Sequence, residues 1–547
     1  MKLRLFAFTI LLFLMACSTS VTGPSQDPKP KPQETPEDFS YLAVVNINAT
    51  QTREQLAADY AGTVLVYHPD DGFAIIGLSS KPEENSFESL KDNGLYSTVY
   101  GSGFSAWAGG WRTWAGGWSA WAGGTTNETT FTENEAFWSQ IKLPEGQALA
   151  PKLGEGMTVA VIDTGLDYLH PGFKDHLASA AKWKDFVDGD TLPQEAEGSF
   201  KGHGTAVAGL IIQVAPKAKI LPIRVLDGDG QGDLVSVIQG IDHAIMMGAD
   251  VINLSLGASG TVDALERMIG YARDKGIPMV ASVGNRGEAA ISHPANWDSF
   301  LNYLDNQGQI KTDLLLNRDR ATVVTAVSSI NSEGVKSSFA NYGPVHIAAP
   351  GEGVLTLYPG EQIVSVSGTS FSAAIVSGTY ALAKAQNPKM QLSAYASSLI
   401  VSSTASWTPE TEGYDSYYRW LGGVLDVKQF LQIAPITQFF LTYIDNFSVI
   451  PSIGLDGATC TQEAELKSEP SEETTRVLIN NMSAKPHKVY RLNESGQRDL
   501  ITEIAPQRIW RSVGYSKDIW LVASETGECQ GIVTNPQALA FLVIGNF

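Results

Sequence analysis

The sequence predicts an α/β protein: a mostly parallel sheet with helices on both faces, preceded by a small α+β unit and followed by an all-β region. Three observations lead there. From about Thr158 onward, short apolar, β-rich runs alternate with helical stretches, the pattern of a parallel sheet covered on both sides. Residues 40–100 mix strand and helix periods on a smaller scale. After about residue 436 the pattern turns to short strands separated by turn residues.

The chain of 547 residues exceeds one ordinary core and suggests about three or four folding units. No apolar run beyond the N-terminus is long enough to cross a bilayer as a helix. A net charge of −20, without clustered Lys and Arg, argues against a nucleic-acid partner, because phosphate binding needs such clusters.

The N-terminus reads as a targeting element. Lys2 and Arg4 precede the apolar stretch Leu5–Met15, too short for a membrane span and right for a signal peptide. It ends in Leu14-Met15-Ala16-Cys17, which resembles the bacterial lipobox; cleavage would leave Cys17 as a lipidated N-terminus. An ordinary signal with a chance cysteine fits less well, since Cys17 stands where the apolar segment gives way to Ser and Thr. The expected location is therefore secreted, in a bacterial cell envelope, with a lipid anchor in a membrane. With residues 1–16 as signal peptide, residues 17–39 carry Pro28, Pro30, Pro32 and Pro36 among polar residues and read as a tether.

The small α+β unit spans 40–100. Strands are expected at Tyr41–Ile47, Val64–Tyr67 and Phe73–Leu78, with helices at Thr52–Tyr60 and Ser86–Asn93. A linker, 101–137, follows, in which Trp107-Ala-Gly-Gly110, Trp114-Ala-Gly-Gly117 and Trp121-Ala-Gly-Gly124 repeat every seven residues. Glycine pairs in every repeat disfavour helix by about 1 kcal/mol per Gly, so an extended segment is expected instead of a coiled coil. Its aromatics either lie along a substrate cleft before maturation or form a plain surface spacer.

The large unit, 138–435, should hold strands at Thr158–Ile162, Ile220–Val225, Val251–Ser255, Pro278–Ser282 and Thr322–Val327, with helices at Leu234–Met247 and Val262–Lys275. Functional groups in such folds gather at the carboxyl ends of the strands. The last region, 436–547, is expected to be a β-sandwich. It holds Cys460 and Cys529, and in an oxidising medium a disulfide is favoured over two buried free thiols; it would close a loop of about 70 residues and contribute about 2–4 kcal/mol.

Three segments of the large unit carry chemistry. Val159-Ala-Val-Ile-Asp163-Thr-Gly165 is a buried strand ending in a carboxylate and a tight turn. His203-Gly-Thr-Ala-Val-Ala-Gly209 and Gly368-Thr-Ser370-Phe-Ser-Ala-Ala put a histidine and a serine at the starts of small-residue helices. A serine hydroxyl is a weak nucleophile until an imidazole takes its proton, and the imidazole needs a buried carboxylate to fix its tautomer; Asp163, His203 and Ser370 supply those three roles. Ala281-Ser-Val-Gly-Asn285 offers a side-chain amide for a developing oxyanion, with the Ser370 N–H as second donor.

Taken in that order, these motifs make residues 138–435 resemble the subtilisin-like serine peptidases (subtilases, peptidase family S8). The resemblance implies Asp163 as orienting acid, His203 as general base and acid, Ser370 as nucleophile and Asn285 as oxyanion donor. Ser255-Leu256-Gly257 resembles the backbone strip that pairs with an extended substrate. Protein or peptide substrates follow. No cofactor is required, and structural calcium is compatible with the family. Tyr41–Leu78 resembles an inhibitory prosegment of the inhibitor I9 type, which implies a self-processing precursor. The chain departs from the family in carrying Ala374 where proline is usual, and in the stretch Trp297–Arg320, where the family is shorter. Leu478-Ile-Asn-Asn, Tyr490-Arg-Leu, Gly496 and Asp518-Ile-Trp520-Leu-Val resemble the β domain of the von Hippel–Lindau protein, implying a sandwich that binds a partner; a stabilising cap is the equal alternative. Two rival readings are a pseudopeptidase that only binds, against which the intact residues argue, and a processing peptidase with one substrate.

Overall fold

The structure is a computed structural model of the chain. It describes Phe39 and residues 41–79, 99–101, 105–107, 112–114, 131–258, 263–296, 324–406, 423–435, 460–533 and 539–544, apart from isolated positions and pairs within 324–533. Residues 17–38 with Cys17, the helix expected at Ser86–Asn93, the Ala-Gly-Gly of the first two Trp-Ala-Gly-Gly copies, the whole third copy and Trp297–Arg320 lie outside the described residues.

The small unit is a four-stranded sheet of β1 (Tyr41–Asn46), β2 (Thr63–His68), β3 (Phe73–Leu78) and β4 (Val99–Gly101) in the order β2-β3-β1-β4. Its helix, Arg53–Tyr60, begins in a capping box: Thr52 Oγ1 accepts from Gln55 N while Gln55 Oε1 accepts from Thr52 N. Period-2 alternation gives the sheet two apolar faces. Ala43, Val45, Ala74, Ile76 and Leu78 pack on Leu56 of that helix. Leu42, Val44, Val66, Phe73 and Ile75 join a second core supplied by two helices of the large unit, Leu234–Met246 and Asp263–Asp274. Polar pairs rim this contact: His68 Nε2 to Asp242 Oδ1 at 2.6 Å, and Asp71 to Lys275 Nζ at 2.8 Å and to the Tyr271 hydroxyl at 2.8 Å.

Two short strands of the repeat region follow, β5 (Ser105–Trp107) and β6 (Arg112–Trp114). Packing of the large unit starts at Phe131, earlier than the residue 138 expected: Phe131 joins Phe137 and Trp138 in one core, and Asn134 Nδ2 bonds Gln213 Oε1 at 2.9 Å.

The large unit is built on β7 (Thr158–Asp163), β8 (Lys184–Asp185), β9 (Lys219–Arg224), β10 (Gln231–Asp233), β11 (Val251–Leu254), β12 (Gly257–Ala258), β13 (Met279–Ser282), β14 (Val324–Ile330), β15 (Ile347–Pro350), β16 (Glu352–Tyr358), β17 (Gln362–Ser367), β18 (Thr404–Ser406) and β19 (Gly423–Val424). Among the described residues nine of them form one sheet in the order β18-β19-β15-β14-β13-β11-β7-β9-β8. All its neighbours run parallel except β18 and β19. Alternate residues of β7 divide the core. Val159 and Val161 face the helices His203–Val214 and Thr369–Gln386, while Ala160 and Ile162 face Leu234–Met246 and Asp263–Asp274. The strand order reverses beside β7, which opens a crevice at the carboxyl ends of β7 and β11. β14 runs three residues beyond its expected end. Ser328 and Ser329 stay buried there because their hydroxyls bond Asn341 O at 3.0 Å and Ser337 Oγ at 2.8 Å.

The C-terminal region holds β20 (Thr474–Asn481), β21 (His487–Leu492), β22 (Arg498–Ile504), β23 (Arg508–Tyr515), β24 (Ile519–Ser524), β25 (Cys529–Val533) and β26 (Leu539–Ile544) in two sheets, β23-β20-β26 and β22-β21-β24-β25. Val477 and Ile479 of the first sheet share a core with Val489, Trp520 and Val522 of the second, which makes a sandwich. Cys460 and Cys529 are joined by a disulfide, their Cα atoms 5.7 Å apart.

Candidate active site

Asp163 ends β7 at the reversal of strand order, fully buried. Its Oδ1 accepts from Thr164 N at 2.7 Å and lies 2.6 Å from His203 Nδ1. Two glycines permit that distance. Gly165 takes a φ of 112° in the turn after the strand, and a Cβ on Gly204 would stand 2.1 Å from Gly165 O. Only a glycine after His203 therefore lets the His203 helix press onto the Asp163 turn. With the carboxylate as acceptor, His203 carries its proton on Nδ1, and Nε2 is the atom that can act as base.

Ser370 is the second residue of its helix and is 1% exposed. Its hydroxyl donates to Ser255 O at 3.2 Å, while Ser255 Oγ donates to Ser370 O at 2.8 Å. The chain continues inward: Asn253 Nδ2 bonds Ser255 Oγ at 2.9 Å, and Ser377 Oγ bonds Asn253 Oδ1 at 2.9 Å. These bonds tie the end of β11 to the Ser370 helix. Phe371 brings that helix to the histidine, with ring centroids of Phe371 and His203 5.6 Å apart.

Asn285 follows β13 through Gly284, whose φ is 109°. Its Oδ1 accepts from both the N–H and the hydroxyl of Thr369, each at 2.9 Å. Two donors on the oxygen fix the amide, so Nδ2 is the group turned to donate next to the start of the Ser370 helix, where the Ser370 N–H also stands.

Of the three residues of the expected substrate strip, Gly257 pairs through β12. Its partner is the chain's own β5, which is the middle strand of an antiparallel sheet, β10-β5-β12, with Trp107 opposite both Gly257 and Gln231. Leu256 is buried, and Ser255 has both its hydroxyl and its carbonyl committed to Ser370. On the other side, β6 joins the β16–β17 hairpin, with Arg112 opposite Ser367, three residues before the nucleophile candidate. Sequence reading missed β10 as the second wall, which has no apolar period to mark it. It also missed Thr164, Thr205, Thr369 and Glu195, which act only through contacts. Among the described residues no group of three His, Cys, Asp or Glu side chains could hold a metal ion.

A carboxylate, an imidazole and a helix-borne serine beside two amide donors are the equipment of a serine hydrolase. The peptidase S8 model, described as the subtilase family, matches residues 154–420. Thermitase of Thermoactinomyces vulgaris is 33% identical over 271 residues, which cover 48% of this chain and 85% of that protein. The thermophilic serine proteinase of Bacillus sp. (strain AK1) is 34% identical over 246 residues, 43% of this chain, which spans only 54% of that relative's length. A solved cold-adapted subtilisin-like serine proteinase is 28% identical with a TM-score of 0.40, covering 49% of this chain and 89% of that one. The chain belongs to the subtilase family and is a serine endopeptidase.

Proposed function

We propose that the protein is a secreted, lipid-anchored endopeptidase made as a self-processing precursor, with Asp163, His203 and Ser370 as its catalytic triad. The observation that carries the triad is the buried 2.6 Å contact between His203 Nδ1 and Asp163 Oδ1, with the Ser370 helix reaching the same histidine through Phe371, ring centroids 5.6 Å apart. Ser370 Oγ attacks the scissile carbonyl carbon while His203 Nε2 takes its proton. The carbonyl oxygen, now negative, accepts from Asn285 Nδ2 and the Ser370 N–H. His203 returns the proton to the leaving amine as the C–N bond breaks, leaving an acyl-Ser370. Water, deprotonated by the same imidazole, releases the acid and restores the serine. Gly257 and its neighbours Ser255 and Leu256 would seat protein or peptide substrates as an added strand.

Support for the precursor comes from the chain itself. β5 fills the place between β10 and β12 that a substrate strand would take, and β6 lies beside Ser367. The triad is almost wholly inaccessible, at 0%, 0% and 1% exposure. The first cut then falls in the 101–137 linker, between Trp107 and Arg112, with residues 40–100 as the inhibitory prosegment. Incubating the full chain with a fluorophosphonate probe and sequencing the N-terminus of the labelled species tests this. Label on Ser370 in a chain starting between Ala108 and Arg112 is expected. No label on a processed chain, or a start before Gly101, would sink the reading.

The lipobox at Cys17 supports the anchor, and no described helix is long and apolar enough to cross a membrane. Cys17→Ser should release the protein from the membrane fraction or block removal of the signal. Unchanged fractionation would remove the anchor from the proposal. The C-terminal sandwich is proposed to bind a further partner, supported only by its resemblance to a partner-binding β domain; an affinity capture in which the truncated chain retains every bound protein would dismiss it.

A further inference from the structure

Glu195 lies in the loop before the His203 helix, outside every sequence motif, and is buried. Its Oε1 accepts from Thr205 N at 2.9 Å and Thr205 Oγ1 at 2.8 Å, and its Oε2 accepts from Thr164 Oγ1 at 3.1 Å. The Gly202 N–H also bonds the carboxylate. Both hydroxyls are oriented from behind: Thr164 Oγ1 accepts from Gly204 N at 3.0 Å, and Thr205 Oγ1 accepts from Asp167 N at 2.9 Å. Each hydroxyl proton is thereby aimed at Glu195. The carboxylate meets donors on every side, the pattern of an ionised group, at the positive end of a 12-residue helix. Burial pushes its pKa up, and the nearby Asp163 charge adds to that, while the bonds from Gly202 and Thr205 pull it down. The other titratable groups facing it are Lys201 and Tyr358, with Asp167 behind Thr205.

The contacts fall on two elements. Thr164 follows Asp163 directly; Gly202, Gly204 and Thr205 bracket His203. We propose that Glu195 is a positioning residue for the Asp163–His203 pair: its one carboxylate clamps the turn that carries the acid to the helix turn that carries the base. The inference rests on the serine peptidase reading of the site. The helix has no side-chain cap of its own, since Gly202 stands at the N-cap, so the clamp holds its first turn in place. While it is ionised, the carboxylate also favours the imidazolium that forms on His203 during each turnover.

Glu195→Gln keeps the volume but puts an N–H₂ against donors and removes the charge. Measured per active site titrated with a burst substrate, kcat should fall by about 10- to 10²-fold with KM nearly unchanged. The acid limb of the kcat/KM profile should move to lower pH, because an imidazolium with less negative surroundings loses its proton more readily. A purely structural role would lower yield and thermal midpoint but leave kcat per titrated site and the limb in place. For a measurement independent of turnover, the same change is made in the Ser370→Ala chain, and the low-field proton resonance of His203 Nδ1–H is recorded. A shift or broadening of that resonance is expected. A kcat per site and an acid limb equal to the parent's, with the resonance unmoved, would overturn the inference. The parent chain is run alongside: if it fails to hydrolyse peptides the peptidase reading fails, while the resonance still decides the role of Glu195.

Discussion

Ser370→Ala should lose peptide hydrolysis by about 10⁶ in kcat, the size reported for loss of the nucleophile in a subtilisin and carried over as a family magnitude. The change deletes one oxygen from a buried position, which leaves no large cavity, so the fold should persist. Three bonds anchor the surroundings without that hydroxyl: Ser255 Oγ to Ser370 O at 2.8 Å, Ser377 Oγ to Asn253 Oδ1 at 2.9 Å, and Thr369 N to Asn285 Oδ1 at 2.9 Å. Because the linker between Trp107 and Arg112 would be cut by the same serine, the variant should also accumulate as a precursor that keeps residues 40–100. Gel analysis, N-terminal sequencing and a peptide assay read both effects. Normal hydrolysis would end the assignment of Ser370, and normal processing without hydrolysis would show that another peptidase makes the cut.

Asp163→Asn should cost about 10⁴ in kcat, the loss known for this change in a serine peptidase triad. Asp163 Oδ1 is shared by His203 Nδ1 at 2.6 Å and Thr164 N at 2.7 Å, inside a fully buried site. An amide of the same shape either turns its N–H₂ toward His203, forcing the proton onto Nε2 and removing the base, or keeps its oxygen there and forfeits the charge that stabilises imidazolium. Both routes raise the barrier while leaving the proposed substrate strand at Gly257 untouched, so KM should change little. The variant precursor is trimmed with a trace of parent enzyme before assay. A kcat within about tenfold of the parent would exclude Asp163 from the triad.

Much of the fold was legible because its signals are local. The alternation in Thr158–Ile162 reappears as β7 with Val159 and Val161 on one face and Ala160 and Ile162 on the other. Phe73–Leu78 is a strand at the residues expected, and Thr52 caps its helix through Gln55. The strand at Thr322–Val327 was placed less well, since buried serines interrupt an apolar run, and only their distant partners Asn341 and Ser337 make them acceptable in a core. The linker boundary moved for the same reason: Phe131 reads as one aromatic among polar residues until the core receives it.

What the sequence by itself determined is the strand end and helix starts that present the candidate residues Asp163, His203 and Ser370, and their order along the chain, because each depends on residues a few positions apart. What only the tertiary structure decided is which groups meet. Ser255 and Ser370 are 115 residues apart and hydrogen-bond twice; Glu195 binds Thr164 across 31 residues and Thr205 across 10; β5 takes its place between β10 and β12. The small unit's second apolar face could be seen in its alternation, but not that helices Leu234–Met246 and Asp263–Asp274 would cover it. Hydrogen-bond partners and packing faces are chosen by closure of long loops, whose cost rises only slowly with length, so nothing in the local sequence marks the residue at the other end.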